Sequence, residues 1–136
     1  MSFRFSADAA EMDRARIHSW LSTESYWAEG RTREKQDRAM DGSRNFGMFD
    51  AAGEQVAYAR VITDGATFAW LCDVFVSEGV RGRGVGVRLI EGVVAQLEPL
   101  GLGRIMLATA DAHGLYAKFG FAPLDKPDLW MARSVG

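Results

Sequence analysis

Arg81, Gly82, Arg83, Gly84 and Gly86 close one hydrophobic run and open a helical pattern, and their types suit the holding of an anion. Glycines let a ligand approach the main chain, and successive N–H groups in such a loop converge on one spot. The helix behind adds its own unpaired N–H groups and the positive end of its dipole. Arg81 and Arg83 bring mobile positive charge to the same place. The segment reads as a seat for a phosphorylated cofactor. Two familiar phosphate loops are excluded by spacing. No Lys-Ser or Lys-Thr pair follows the glycines, and G-x-G-x-x-G counted from Gly82 or Gly84 ends on Val87 or Leu89. A nucleic-acid reading of the Arg-Gly repeat also fails, because the net charge is −2 and no basic stripe accompanies the loop.

Two further residues carry chemistry. Tyr116 lies in Ala112-His113-Gly114-Leu115-Tyr116-Ala117-Lys118-Phe119-Gly120-Phe121, one helix and one strand downstream of the loop. A phenol near pKa 10 can hydrogen-bond to or protonate a thiolate whose thiol has a pKa of about 8.5. Asp73 is a carboxylate inside an otherwise apolar strand pattern, an unusual place for a charge. It suits a base or an anchor for an ammonium group, with a structural hydrogen-bonding role as the alternative. Glu78 in the following turn reads as a solvated charge, and His18 as a surface or hydrogen-bonded residue. One cysteine and two scattered histidines supply no metal-ligand spacing, so no metal is expected.

Two of these segments together resemble a known family. Arg81-x-x-Gly84-x-Gly86 resembles the pyrophosphate-binding R/Q-x-x-G-x-G/A loop of the GNAT superfamily of acyl-CoA-dependent N-acetyltransferases. Ala112 to Phe121 resembles that family's A-x-x-L-Y-x-K-x-G-F signature, in the order and separation the family shows. The resemblance implies acetyl-CoA as co-substrate and a primary amine of a small molecule or peptide as acceptor. It implies that the strand before the phosphate loop splays from the strand after it. Backbone groups of Val74, Phe75 and Val76 would then hold the pantetheine arm and polarise the thioester carbonyl. The phosphates would sit on the N–H groups of Arg81, Gly82, Arg83, Gly84, Val85, Gly86 and Val87. Tyr116 takes the position of the family's general acid, with simple packing against the sheet as its alternative role. Thr109 stands where many members carry an asparagine that binds the pantetheine arm, and offers one contact instead of an amide's pair. Asp111 reads as the cap of the short helix.

Acceptor recognition is expected from the first two helices and their loop, where Tyr26, Trp27 and Arg31 form the most distinctive cluster. Aromatic faces there suit an ammonium ion, while Trp20 reads as packing. The run His18-Ser19-Trp20-Leu21 followed by Ser25-Tyr26-Trp27-Ala28 resembles a group of small GNAT proteins with no clear substrate. A non-catalytic acyl-CoA-binding or sensing module of the same fold is the competing reading.

The chain must position these groups with 136 residues, which suits one domain over residues 1–136. Apolar residues make up 48%, enough for a sizeable core. No stretch is long and apolar enough to span a membrane, and the N-terminus lacks a signal-peptide layout. The single cysteine, Cys72, fits a reducing, cytoplasmic setting. A homodimer is left open.

The pattern predicts strands at Phe3–Ser6, Phe46–Phe49, Gln55–Ile62, Thr67–Val76, Arg104–Ala110 and Leu129–Arg133. Helices are predicted at Ala10–Leu21, from a Thr32 cap to Met40, at Gly84–Leu97 and at Ala112–Phe119. Strict alternation along Thr67–Val76 would place Asp73 and Phe75 on one face and Cys72, Val74 and Val76 on the other. With the resemblance, the expectation is an α/β (α+β) fold of GNAT type. Its central sheet is mixed and mostly antiparallel, with six to seven strands flanked by about four helices.

Overall fold

A computed structural model describes residues 2–135 of the chain. Its sheet has five strands, β1 (Arg4–Ser6), β2 (Arg44–Phe49), β3 (Gln55–Thr63), β4 (Phe68–Val76) and β5 (Arg104–Met106), neighbouring in chain order. β1 to β4 pair antiparallel, and β4 pairs β5 in parallel, which makes the sheet mixed. The parallel step needs a crossover, supplied by α3 (Val85–Leu97).

Helices α1 (Arg14–Glu24) and α2 (Arg33–Asp41) cover one face, and α3 with α4 (His113–Ala117) the other. Each start has a local cause. Asp13 accepts a hydrogen bond from the Arg16 N–H at 3.1 Å, and Thr32 accepts from Lys35 at 3.2 Å, the cap expected for α2. Ala9–Glu11 forms a separate 3-10 turn capped by Asp8, so α1 begins later than its apolar pattern suggests. On α3, Val85, Leu89, Ile90, Val93 and Leu97 are all buried, as the spacing predicts. They pack on Phe46, Met48, Ala57, Ala59, Val61, Ala69 and Leu71. On the opposite face Ile17, Trp20, Leu21 and Met40 meet Phe49, Tyr58 and Phe75.

The strand count corrects the expectation of six to seven. β5 stops at Met106 where a strand to Ala110 was expected, and Leu129–Arg133 forms no strand. Pro127 instead opens a 3-10 turn over Pro127–Leu129, and the chain beyond it has no strand beside it among the described residues. Trp130 lies against the Arg104 guanidinium, 5.0 Å from its ring centre.

The simple alternation along β4 is also corrected. Ladder partners share a face, and the register joins Phe75 to Tyr58 but Cys72 to Arg60. Residues three apart on β4 therefore lie on the same side, because a bulge sets Asp73 and Val74 opposite the single residue Ala59. Asp73 takes φ +52°, a left-handed conformation that Asp tolerates better than most residues. The bulge turns Asp73 and Cys72 toward α1 and α2 while Val74 and Val76 pack against the α3 core.

Candidate active site

β4 is nine residues long but pairs with β5 only across Phe68–Trp70. Beyond that point the two diverge, and a cavity of about 590 Å³ opens between them. Leu71, Cys72, Asp73 and Val74 form one wall, and residues 107–112 with Tyr116 form the other. Tyr26, Trp27, Arg31, Arg60 and Trp70 close the remaining side. The splay expected before the glycine loop is therefore present.

Asp73 is the centre of a buried charged knot. Its Oδ2 accepts from Arg31 Nη1 at 2.7 Å and from Arg60 Nε at 2.9 Å, and its Oδ1 accepts from the Trp27 indole at 3.0 Å. Only 2% of the Asp73 side chain is exposed. Burial alone would push its pKa up, but the hydrogen bonds and charges of Arg31 and Arg60 carry it below the ordinary carboxylate value. A carboxylate so held is a weak proton acceptor. The arginines are positioned in turn, Arg31 by Gln36 Oε1 at 2.9 Å and Arg60 by Ser43 Oγ at 3.0 Å.

Tyr116 is buried in the wall formed by α4, yet its hydroxyl has no hydrogen-bond partner among the described residues and remains accessible in the cavity. Burial, then the nearby Tyr26 and Asp111, push its pKa up to about 12. The Tyr26 hydroxyl accepts from the Ala110 N–H at 3.2 Å, which ties the loop after α1 to the segment after β5. Tyr26 and Trp27 meet edge to face at 4.9 Å. Thr109 Oγ1 accepts from the Ala112 N–H at 3.0 Å, so Thr109 supports the start of α4. Asp111 does not cap that helix, which corrects the expectation for it.

The glycine loop lies past the end of β4 and does not line the cavity. Gly82 and Gly84 take φ of +81° and +77°, which glycine adopts without steric cost. The first main-chain bond of α3 runs from Arg88 to Gly84, leaving the N–H groups of Val85, Gly86 and Val87 without helical partners. Arg81 is held by its Nε on the Val76 carbonyl at 3.0 Å and lies 5.4 Å from the centre of the Phe75 ring. That fit is what an anion needs, and no helix among the described residues is long and apolar enough to cross a membrane.

Tyr26, Trp27, Arg31, Asp73, Val74, Thr109 and Tyr116 thus meet in one cavity. Phe75 does not. It stacks on Trp20, 5.4 Å between ring centres, within the α1 packing, and Val76 packs on the α3 side. Trp20 is the packing residue expected, and His18 Nε2 is hydrogen-bonded to the Arg31 carbonyl at 2.7 Å. Among the cavity residues that the sequence reading did not assign to the site are Arg60, Trp70 and Cys72. Arg60 had a signal equal to that of Asp73, a lone charge within Val56-Ala57-Tyr58-Ala59-Arg60-Val61-Ile62. Two isolated opposite charges on neighbouring strands predict each other, since a buried charge requires a partner. Cys72 is half-buried, and burial pushes its thiol up to about 11, so it stays neutral.

Comparison with known proteins agrees with this geometry. The model of the acetyltransferase (GNAT) family matches residues 14–121. A solved structure from Xanthomonas campestris pv. campestris, described as belonging to the GNAT family, is 45% identical. It superposes with a TM-score of 0.93 over 99% of this chain and 94% of that one. A Mycobacterium tuberculosis structure in complex with CoA and NLQ shares the fold at 16% identity, with a TM-score of 0.72 over 92% of this chain and 74% of that one. Serotonin N-acetyltransferase 2, chloroplastic, of Oryza sativa subsp. japonica is 35% identical over 97 residues, 68% of this chain and 48% of that protein. The chain spans less than half the length of the curated relatives it matches, 48% and 37%. A divergent strand pair, an anion-ready helix start and a family model covering most of the sequence agree, and the chain belongs to the acetyltransferase (GNAT) family.

Proposed function

We propose that the protein is an acetyl-CoA-dependent N-acetyltransferase that acetylates a primary amine, working as one domain over residues 1–136 in a cytosolic setting. The observation that carries this reading is the cavity between β4 and residues 107–112, with an unpartnered Tyr116 hydroxyl in its wall. The N–H groups of Val85, Gly86 and Val87, with Arg81, Gly82, Arg83 and Gly84, would hold the pyrophosphate. Backbone groups of Val74, Phe75 and Val76 and the Thr109 hydroxyl would hold the pantetheine arm.

Acetyl-CoA brings the thioester, whose C–S bond breaks as the acceptor's C–N bond forms. The amine enters as its free base after losing one proton to water, and loses a second to water as the amide forms. Sulfur leaves with its electron pair. Backbone N–H groups of β4 beyond its pairing with β5 would polarise the carbonyl. Tyr116 donates a hydrogen bond to the thiolate. Full proton transfer from a phenol at about 12 to a thiolate near 8.5 is roughly 5 kcal/mol uphill, so hydrogen bonding precedes any proton transfer, and water completes it. Asp73 organises the acceptor side instead of taking the proton, since both guanidiniums already claim it.

Calorimetric titration with acetyl-CoA, with CoA and ATP as controls, followed by free-thiol release against an amine panel, tests this. Saturable binding of the CoA species with amine-dependent thiol release supports it. Absence of binding to the folded protein overturns it, and binding without turnover of any amine leaves the acyl-CoA-binding module.

The proposal extends to a homodimer. The outer edge of β5 has no neighbouring strand among the described residues, and a groove of about 790 Å³ runs along it from Val94 to Asp125. The strand pattern at Leu129–Arg133 has no strand partner among the described residues, and Leu129, Met131 and Val135 are 73%, 97% and 78% exposed. The occupant that matches this edge is the same segment of a second copy, since each chain then supplies one groove and one strand. Residues 107–109 and Tyr116 line both the groove and the cavity, so the exchange would back the catalytic wall.

A further inference from the structure

The charges around the cavity are unequal in a way that bears on the acceptor. Arg31 and Arg60 face it with a single shared carboxylate, Asp73, which Trp27 and the two guanidiniums cover. Cys72 is neutral there, and so is Tyr116. The other carboxylate on the lining is Asp111, exposed and on the opposite wall beside Tyr116. The deep end therefore holds two positive charges against one negative.

Donor capacity is also left over. Arg31 uses only Nη1 in its side-chain bonds, and Arg60 only Nε and Nη1. Arg31 Nε and Nη2 and Arg60 Nη2 have no partner among the described residues, and none of them is sealed from solvent. In residues that line the cavity, such donors are free to receive an oxyanion, and a guanidinium suits a carboxylate in particular. A second ammonium group would instead meet net positive charge there, with no accessible carboxylate to receive it. Trp27, Trp70 and Tyr26 add apolar surface between the two ends.

We propose that the acceptor is an amine that also bears an anionic group, as an amino acid does, with Arg31 and Arg60 receiving the anion and the amine directed toward Val74 and Tyr116. This rests on the transferase reading above and narrows it against polyamines and other multiply cationic amines. The exposed Asp111 on the far wall completes a bipolar cavity for a zwitterion.

The test compares matched pairs at saturating acetyl-CoA: phenylalanine against phenethylamine, tryptophan against tryptamine, and spermidine as the polycationic control. The expected result is a kcat/KM at least tenfold higher for the carboxylate-bearing member of a pair. In Arg31→Gln that preference should collapse through a raised KM for the amino acid, with KM for acetyl-CoA unchanged. Calorimetry of the N-acetylated products on the CoA-loaded protein gives the same ranking without turnover. Equal or better use of phenethylamine, tryptamine or spermidine overturns this inference and leaves the transferase intact, as does tighter binding of the uncharged products. Equal effects of Arg31→Gln on both members of a pair also overturn it. Failure to bind CoA at all overturns the transferase reading and this inference together.

Discussion

Tyr116 and Asp73 show how much surroundings alter a residue type. Tyr116 keeps a free hydroxyl in a buried wall, so Tyr116→Phe removes only the hydrogen bond proposed to the leaving thiolate and no packing. Turnover should fall about a hundredfold while acetyl-CoA affinity measured by calorimetry stays the same. Asp73 is the opposite case, fully engaged and indispensable to its neighbours. Asp73→Asn accepts the same positive φ, so it tests charge alone. Leaving two largely buried guanidiniums unpaired should cost about 2–4 kcal/mol in chemical denaturation. Its folded pKa is depressed, so its contribution is present above the unfolded value near 3.9 and is lost as pH falls through the folded value. Wild-type thermal midpoints should drop on acidification below about pH 4, and the Asn variant should start lower and fall less steeply. Sequence reading singled out both residues and named a structural hydrogen-bonding role as the alternative for Asp73, but not its partner, because Arg60 comes from the neighbouring strand.

At the scale of elements, three glycines separate conformation from space. Gly84 has room for a side chain but a left-handed φ of +77°, so Gly84→Ala should destabilise by about 1 kcal/mol. Gly86 lies inside α3 with ordinary contacts, 3.6 Å to Val76, so Gly86→Ala should be neutral or slightly stabilising. Gly92 would drive a methyl to 2.4 Å from the Phe5 ring, and Gly92→Ala should cost about 1–3 kcal/mol. Urea titration of the three variants checks the order. Helix α3 and the β2–β3 hairpin were legible in sequence because one periodicity and one turn, Asp50 to Gly53, decide each of them. The β4 bulge was not, since period-two alternation carries no mark of an inserted residue. The end of β5 was not legible either, because Leu107 and Ala108 have strand-like character and only the divergence from β4 removes their partner.

For the whole molecule, the overall plan of mixed sheet and flanking helices followed from motif order, but the closing strand did not. In the proposed dimer a second chain would receive its exposed apolar residues, Leu129 and Met131. Multi-angle light scattering should show a dimer for the wild type, and Met131→Asp should shift it to monomer with an unchanged fold by circular dichroism. A monomer at all concentrations in the wild type would remove the exchange.

The Asp73 knot also sets a folding order. Its three bonds join positions separated by 13, 42 and 46 residues, so two of them close only when the loop after α1 reaches a finished β3–β4 pair. Contacts of that separation form late, and weakening them acts mainly on the way out of the native state. In stopped-flow refolding, Asp73→Asn should leave the folding limb nearly unchanged and raise the unfolding rate. The side of the cleft around Asp73 is then expected to assemble late and to open early.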